Sequence, residues 1–263
     1  MKKLTFVLLA FILANSLFAT GTKETQSGDL LERIKAKGEI TIAMEGTWAP
    51  WTYHDSNDNL VGYDVEIGQA IAEKLGVKAN FIEGELDGLL AGLEAGRYDL
   101  MINGVDITPE RQQKYDFSVP YAYNNTAVIV QENNNSITKM EDLKGKKTAN
   151  TISSTYAEIA EKYGATVIPV DDLAQTIELL LAGRIDATLN AEVSYYDYKK
   201  VHPEAAIKIA CLDTERTSVA IPMRKGDDAA TLREAVNKAV QELLDDGTIS
   251  ALSIKYFGGD ISK

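Results

Sequence analysis

After a polar leader, the segment GEITIAM (Gly38 to Met44) alternates apolar and polar side chains at the period of a strand. A loop spans Thr47 to Val61, and GYDVEIGQAIAEKLGV then carries apolar residues at helical spacing until Gly76 stops it. A short strand at Lys78 to Ile82, a helix across Leu86 to Ala95 and the strand DLMIN complete a β-α-β-α-β order. Strands separated by helices predict a parallel sheet with right-handed crossovers.

The same order restarts further on, with GKKTANTI as a strand, STYAEIAEKY as a helix, ATVIPV as a strand, DLAQTIELLLAG as a helix and IDATLN as a strand. An internal echo links the halves: Leu93 to Asn103 and Leu180 to Asn190 both read A-G-R-x-D-x-x-x-N. The glycines fit helix stops. Asn103 and Asn190 fall at carboxyl ends of strands, where open parallel sheets bind ligands. The pattern predicts one lobe from 30–121 plus 219–263 and a second from 127–213, with the chain crossing at 122–126 and 214–218. SVAIPM reads as a strand after the second crossing, and the helices in LREAVNKAVQELLDDG and ISALSIKYFG are expected to return to the first lobe. Two crossings suit a hinge.

Residues 1–20, MKKLTFVLLAFILANSLFAT, have lysines, then an apolar run from Leu4 to Leu13, then Ala19, the plan of a secretory signal. That run falls short of the roughly 20 apolar residues of a membrane span. The expected product is exported, periplasmic or otherwise extracytoplasmic, and soluble. Thr20 stands where a lipid-anchored protein would carry cysteine, so no lipid anchor is expected. A net charge of −12 argues against nucleic acid. The single cysteine, Cys211, excludes an internal disulfide and reads as a buried structural thiol. His54 and His202, the only histidines, give neither a zinc site nor a natural general base, and no cofactor or metal is expected.

The segments EGTWAPWTYHDSNDNLVGYDVEIGQAIAEKLGV, AGRYDLMINGVDITPERQQKYDFSVPY, DATLN and DDGTISALSIKYFGGD resemble the extracytoplasmic amino-acid-binding proteins of ABC importers, solute-binding protein family 3. The likeness covers nearly the whole mature chain. The wording E-G-T-aromatic, I-T-P-E-R and D-A-T-L-N is most similar to the cystine-binding branch. The resemblance implies an α/β fold of the periplasmic binding protein-like type II: two Rossmann-like lobes with parallel-rich sheets joined by a two-stranded hinge. Its partners would be a free amino acid, cystine or a cationic or polar one, and an ABC permease, and the expected state is a monomer.

A free amino acid needs a fixed cation, backbone donors and acidic acceptors once water is stripped from it. Arg111, in I-T-P-E-R, would supply the bidentate fork for the carboxylate. Gly104 and Asp106 match positions that contact the ligand in relatives, with Asp106 replacing the usual serine or threonine. An ionised aspartate only accepts, so Asp106 suits the ammonium, or else caps the following helix. Ser153, Ser154 and Thr155 match a loop that opens a helix and offers hydroxyls and amides. Where relatives place an ammonium-binding aspartate this chain has Ala191, and the neighbouring Glu192, helped by Asn190, is expected to take over or else to be a surface acid. Trp48 and Leu86 match residues that sandwich ligand side chains, near Trp51 and Tyr53. Glu45 matches an acid that meets polar side chains and would favour a second positive charge.

No nucleophile, proton shuttle or metal spacing marks an enzyme. Two alternatives remain: a cyclohexadienyl dehydratase on the same fold, with a pocket carboxylate such as Glu192 as general acid, and the ligand-binding subunit of a sensory system.

Overall fold

A computed structural model describes residues 28–263. The proposed signal segment, 1–20, lies outside the described residues. Among them, no helix is long and apolar enough to cross a membrane.

The first half contains α1 (Leu30–Lys37), β1 (Glu39–Met44), β2 (Thr47–Trp48), β3 (Thr52–His54), β4 (Leu60–Val61), α2 (Tyr63–Leu75), β5 (Lys78–Glu83), α3 (Leu86–Glu94), β6 (Leu100–Met101), α4 (Pro109–Lys114) and β7 (Tyr115–Phe117). Strand β1 lies between β5 and β6, parallel to both. Short β2, β3 and β4 form a separate antiparallel ribbon within the loop after β1. Helix α2 stops at Gly76, whose φ of 74° is left-handed, a conformation that glycine adopts without penalty.

The chain then continues through β8 (Ala122–Gln131), β9 (Lys147–Asn150), α5 (Thr155–Lys162), β10 (Thr166–Pro169), α6 (Leu173–Leu181), β11 (Thr188–Ala191), α7 (Glu192–Val201) and β12 (Ile207–Val219). It closes with β13 (Pro222–Arg224), α8 (Ala230–Asp245) and α9 (Thr248–Phe257). Strands β9 and β10 pair in parallel. Strand β8 pairs antiparallel with both β11 and β12, so IDATLN joins an antiparallel ladder and touches β9 only through a bridge between Thr148 and Ala187. The parallel pairing read from the alternation holds for β9 and β10, and β8 adds an antiparallel ladder to the second half.

Two cores lie on either side of the β8 and β12 crossings. Ile40, Ile42 and Met44 of β1 pack with Ile67 and Ile71 of α2, Leu232, Val236 and Val240 of α8, and Ile249 of α9. The last helices thus share the core built by the first hundred residues. In the second core the apolar run of β8 is buried on both faces: Val128 and Val130 meet Leu143, Tyr156 and Leu189, while Ala127 and Ile129 meet Ile177, Leu180 and Ile207. Successive side chains of a strand point to opposite faces, which is why a continuous apolar run serves two clusters.

Between the cores, Ala122 to Asn125 of β8 pair with Arg216 to Val219 of β12, and the register shifts between Leu212 and Arg216. The sequence expected SVAIPM to be one strand; it is split at Ala220 and Ile221 into the end of β12 and β13. Cys211 lies in β12, half-buried rather than fully enclosed, with its thiol pushed up to about 11 mainly by burial.

Candidate functional site

The strand ends and helix starts of both cores line one cavity. From the first core come Glu45, Trp48, Leu86, Asn103, Gly104, Asp106 and Arg111; from the second come Ser154, Thr155 and Asn190. Ten of the residues singled out in the sequence thus meet at one cavity, and Ser153 and Glu192 do not line it.

Arg111 is placed by a short helix whose start is explicit in the sequence. Thr108 caps α4 by accepting the amide N–H of Arg111 at 3.1 Å, and Pro109 occupies the first helical turn. The guanidinium is buried, donates from Nη1 to the Asp106 carbonyl at 3.1 Å, and from Nη2 to the Ser153 carbonyl at 2.7 Å. No carboxylate among the described residues lies within ion-pairing distance of it. Arg111 also lines the cavity.

Asp106 is buried, and its Oδ2 accepts from the Thr155 hydroxyl across the cleft, while its Oδ1 has no hydrogen-bond partner. Burial pushes its carboxyl pKa up, opposed by Thr155, Thr217 and the charge of Arg111. It caps no helix: that work falls to Thr108.

Gly104 has a φ of +54°, and a Cβ there would stand 2.7 Å from Cζ3 of Trp48. Its amide donates at 2.6 Å to Asp64, which is fully buried and also accepts from the Tyr121 hydroxyl at 2.8 Å. Burial raises the Asp64 carboxyl to about 7. Trp48 stacks on Trp51 with ring centroids 5.4 Å apart and meets Tyr156 edge-on at 6.4 Å, joining the two cores at one ring. Its indole N–H donates to Asn190 Oδ1 at 3.1 Å.

Glu45 and Asn103 hold each other: the Glu45 amide donates to Asn103 Oδ1 at 2.8 Å, and Asn103 Nδ2 donates to Glu45 Oε2 at 2.6 Å. Burial, with added repulsion from Asp172 and Asp87, raises the Glu45 carboxyl to about 7.

The loop before α5 differs from expectation. Ser154 spends its hydroxyl locally, accepting from Ala157 N at 3.2 Å and donating to the Thr151 carbonyl at 2.6 Å. Ser153 contributes its carbonyl to Arg111 rather than a hydroxyl to the cavity. Glu192 opens α7 and accepts from Asn125 Nδ2 at 2.9 Å, which ties it to β8 and away from the cavity.

Sequence reading missed Asn150, Asp172 and Thr176, which line the second core's side of the cavity. Asp172 caps α6, accepting from Gln175 N at 2.9 Å. Among the described residues no cluster of three or more His, Cys, Asp or Glu could hold a metal ion.

Two α/β cores with strand ends facing one cavity, and a buried guanidinium in it without an acidic partner, define a two-lobed solute-binding protein. The chain belongs to the bacterial extracellular solute-binding proteins, family 3, which match residues 40–259. It is 38% identical over 265 residues, with both chains covered in full, to a probable amino-acid ABC transporter-binding protein of Haemophilus influenzae. It is also 38% identical over 271 residues to the L-cystine-binding protein TcyA of Bacillus subtilis, again with full coverage of both chains. Among solved structures, an ancestral arginine-binding protein bound to arginine superposes with a TM-score of 0.78 at 36% identity, covering 84% of this chain and 99% of that one. Such relatives are binding proteins of transporters, and the chain is a solute-binding protein rather than an enzyme.

Proposed function

We propose that this protein captures a free polar amino acid outside the cytoplasm by closing two lobes, 30–121 plus 219–263 and 127–213, and delivers it to an ABC permease. The observation that carries this reading is Arg111. Burying a guanidinium without a carboxylate is costly, and a ligand carboxylate removes that cost through a bidentate pair. Asp106 Oδ1, buried beside it and unpartnered, takes the ligand's ammonium. A carboxylate receptor and an ammonium receptor side by side match the head group shared by all α-amino acids.

The paired segments 122–126 and 214–218 act as the hinge. The ligand first meets the lobe that carries Arg111 and gains contacts to the other as the cleft closes, so its differential affinity stabilises the closed form. The protein acts as a monomer after removal of residues 1–20. The cystine named for the Bacillus relative and the arginine bound to the ancestral protein mark the polar ligands to try first. A thermal-shift screen over the amino acids and cystine tests the reading, because a bound ligand raises apparent stability by mass action. A rise in melting temperature with a small set of amino acids is the expected result; none with any of them contradicts it.

A further inference from the structure

Where β8 and β12 pair between the two cores, alternation sends their side chains to two faces. On one face Arg216 lies over the Tyr123 ring, 5.5 Å from its centroid, and Asn125 reaches Glu192. On the other, Asn124 of β8 stands directly opposite Thr217 of β12. Asn124 is buried, and its Nδ2 donates at 2.9 Å to the hydroxyl of Tyr156, on α5 in the second core. The Thr217 hydroxyl lies 3.4 Å from the Asn124 carbonyl oxygen and opposes the upward shift of the Asp106 carboxyl.

Tyr156 and Asp106 both line the cavity, whereas Asn124 does not. Tyr156 also meets the Trp48 ring edge-on, so one hydrogen bond links a hinge side chain to a part of the wall where both cores touch. Packing does not account for asparagine at this position. Its Oδ1 is buried without a hydrogen-bond partner, and an acceptor buried in that way costs stability that an apolar residue would not. Further along the same face, β8 carries Val128 and Val130 in the apolar core. What the asparagine supplies is the donor to Tyr156.

We propose that Asn124 is a positioning residue for ligand capture, which holds the Tyr156 hydroxyl and so sets the second lobe's wall of the cavity according to the hinge angle. The inference rests on the hinge-closure reading above and adds to it a residue outside the cavity lining. The amide is fixed to the strand that turns when the lobes close, and the Tyr156 ring follows it toward Trp48. The hydrogen bond and the ring contact are made together in this arrangement, so each favours the other. Losing the amide therefore costs the closed form more than the open one, and a bound amino acid leaves sooner.

The test titrates arginine, lysine, cystine and glutamine by calorimetry and follows their release by stopped-flow tryptophan fluorescence. The proteins are wild type, Asn124→Leu, Tyr156→Phe and the double variant. Leucine is close in size and removes the amide; if thermal melting shows that Asn124→Leu does not fold, Asn124→Ala takes its place. For an amino acid that the wild type binds, Asn124→Leu should weaken affinity by a factor of about 2–10, the size of one net hydrogen bond, chiefly through faster release. In the Tyr156→Phe background, where the bond is already gone, Asn124→Leu should have little further effect. Unchanged affinity and release in the asparagine variant, with only a lowered melting temperature, overturns the proposal, because the bond then only holds the fold. A full effect of Asn124→Leu in the Tyr156→Phe background also overturns it, because the asparagine then acts by another route. Either result leaves amino-acid capture standing, whereas failure of every amino acid to bind the wild type overturns both.

Discussion

The indole N–H of Trp48 and the side-chain oxygen of Asn190 meet at 3.1 Å across the cleft, one from each core. Because Trp48 also stacks on Trp51, this bond fastens the second core to an aromatic stack rooted in the first. Trp48→Phe keeps the stack and loses the bond. A net hydrogen bond contributes about 0.5–1.5 kcal/mol, so ligand affinity should fall by a factor of about 2–10, with the change in the dissociation rate. Stopped-flow fluorescence reads it directly through the remaining tryptophan, since the chain has only two.

Gly104 is expected to tolerate no side chain. Alanine there would adopt a left-handed conformation and drive its Cβ against Trp48 at 2.7 Å. The ring must shift, which breaks the Asn190 bond and moves the wall of the cavity. Gly104→Ala should lower stability by about 1 kcal/mol from the backbone alone and reduce ligand affinity more than Trp48→Phe does. Unchanged affinity with an unchanged tryptophan emission spectrum would contradict the placement of Trp48.

Asp64 gives the protein a pH signature. Its carboxyl is raised from 3.8 to about 7 by burial, so between those values the native state holds a proton that the unfolded chain has released. Stability contributed by this group is therefore present at low pH and lost as pH rises through about 7. Asp64→Asn mimics the neutral form and can still accept from Gly104 and meet Tyr121. The melting temperature of wild type minus that of Asp64→Asn should fall between pH 5 and 8. A constant difference across that range would rule out the linkage.

Much of this architecture was legible along the chain, and the exceptions have physical causes. Helices α2 and α8 keep polar residues on their outer faces, and β1 alternates over Glu39 to Ile42, so their periods are visible. Strand β12 was not legible beyond its end because Asp213 to Arg216 are polar, and the register shift there breaks any alternation. Arg111 was readable through the resemblance carried by I-T-P-E-R, and Thr108 and Pro109 fix where its helix starts. The contact that ties Glu192 to β8 left no mark in the sequence, because only the fold brings Asn125 to it from a strand 67 residues away. Asn150 left no sequence signal at all, because an unpartnered oxygen is a property of surroundings that only the fold assembles.

Pairing between Arg111 and a ligand carboxylate is the centre of the account, and it can be isolated by changing the ligand as well as the protein. Once a screen has found the preferred amino acid, calorimetry should compare it with its α-carboxamide on the wild-type protein and on Arg111→Lys. The expected result is tight binding of the acid to wild type, with a loss of about 2–4 kcal/mol either when the carboxylate becomes an amide or when the guanidinium fork becomes an ammonium. Combining both changes should cost little more than one alone. Carboxamide binding to wild type as strong as that of the acid would contradict the account.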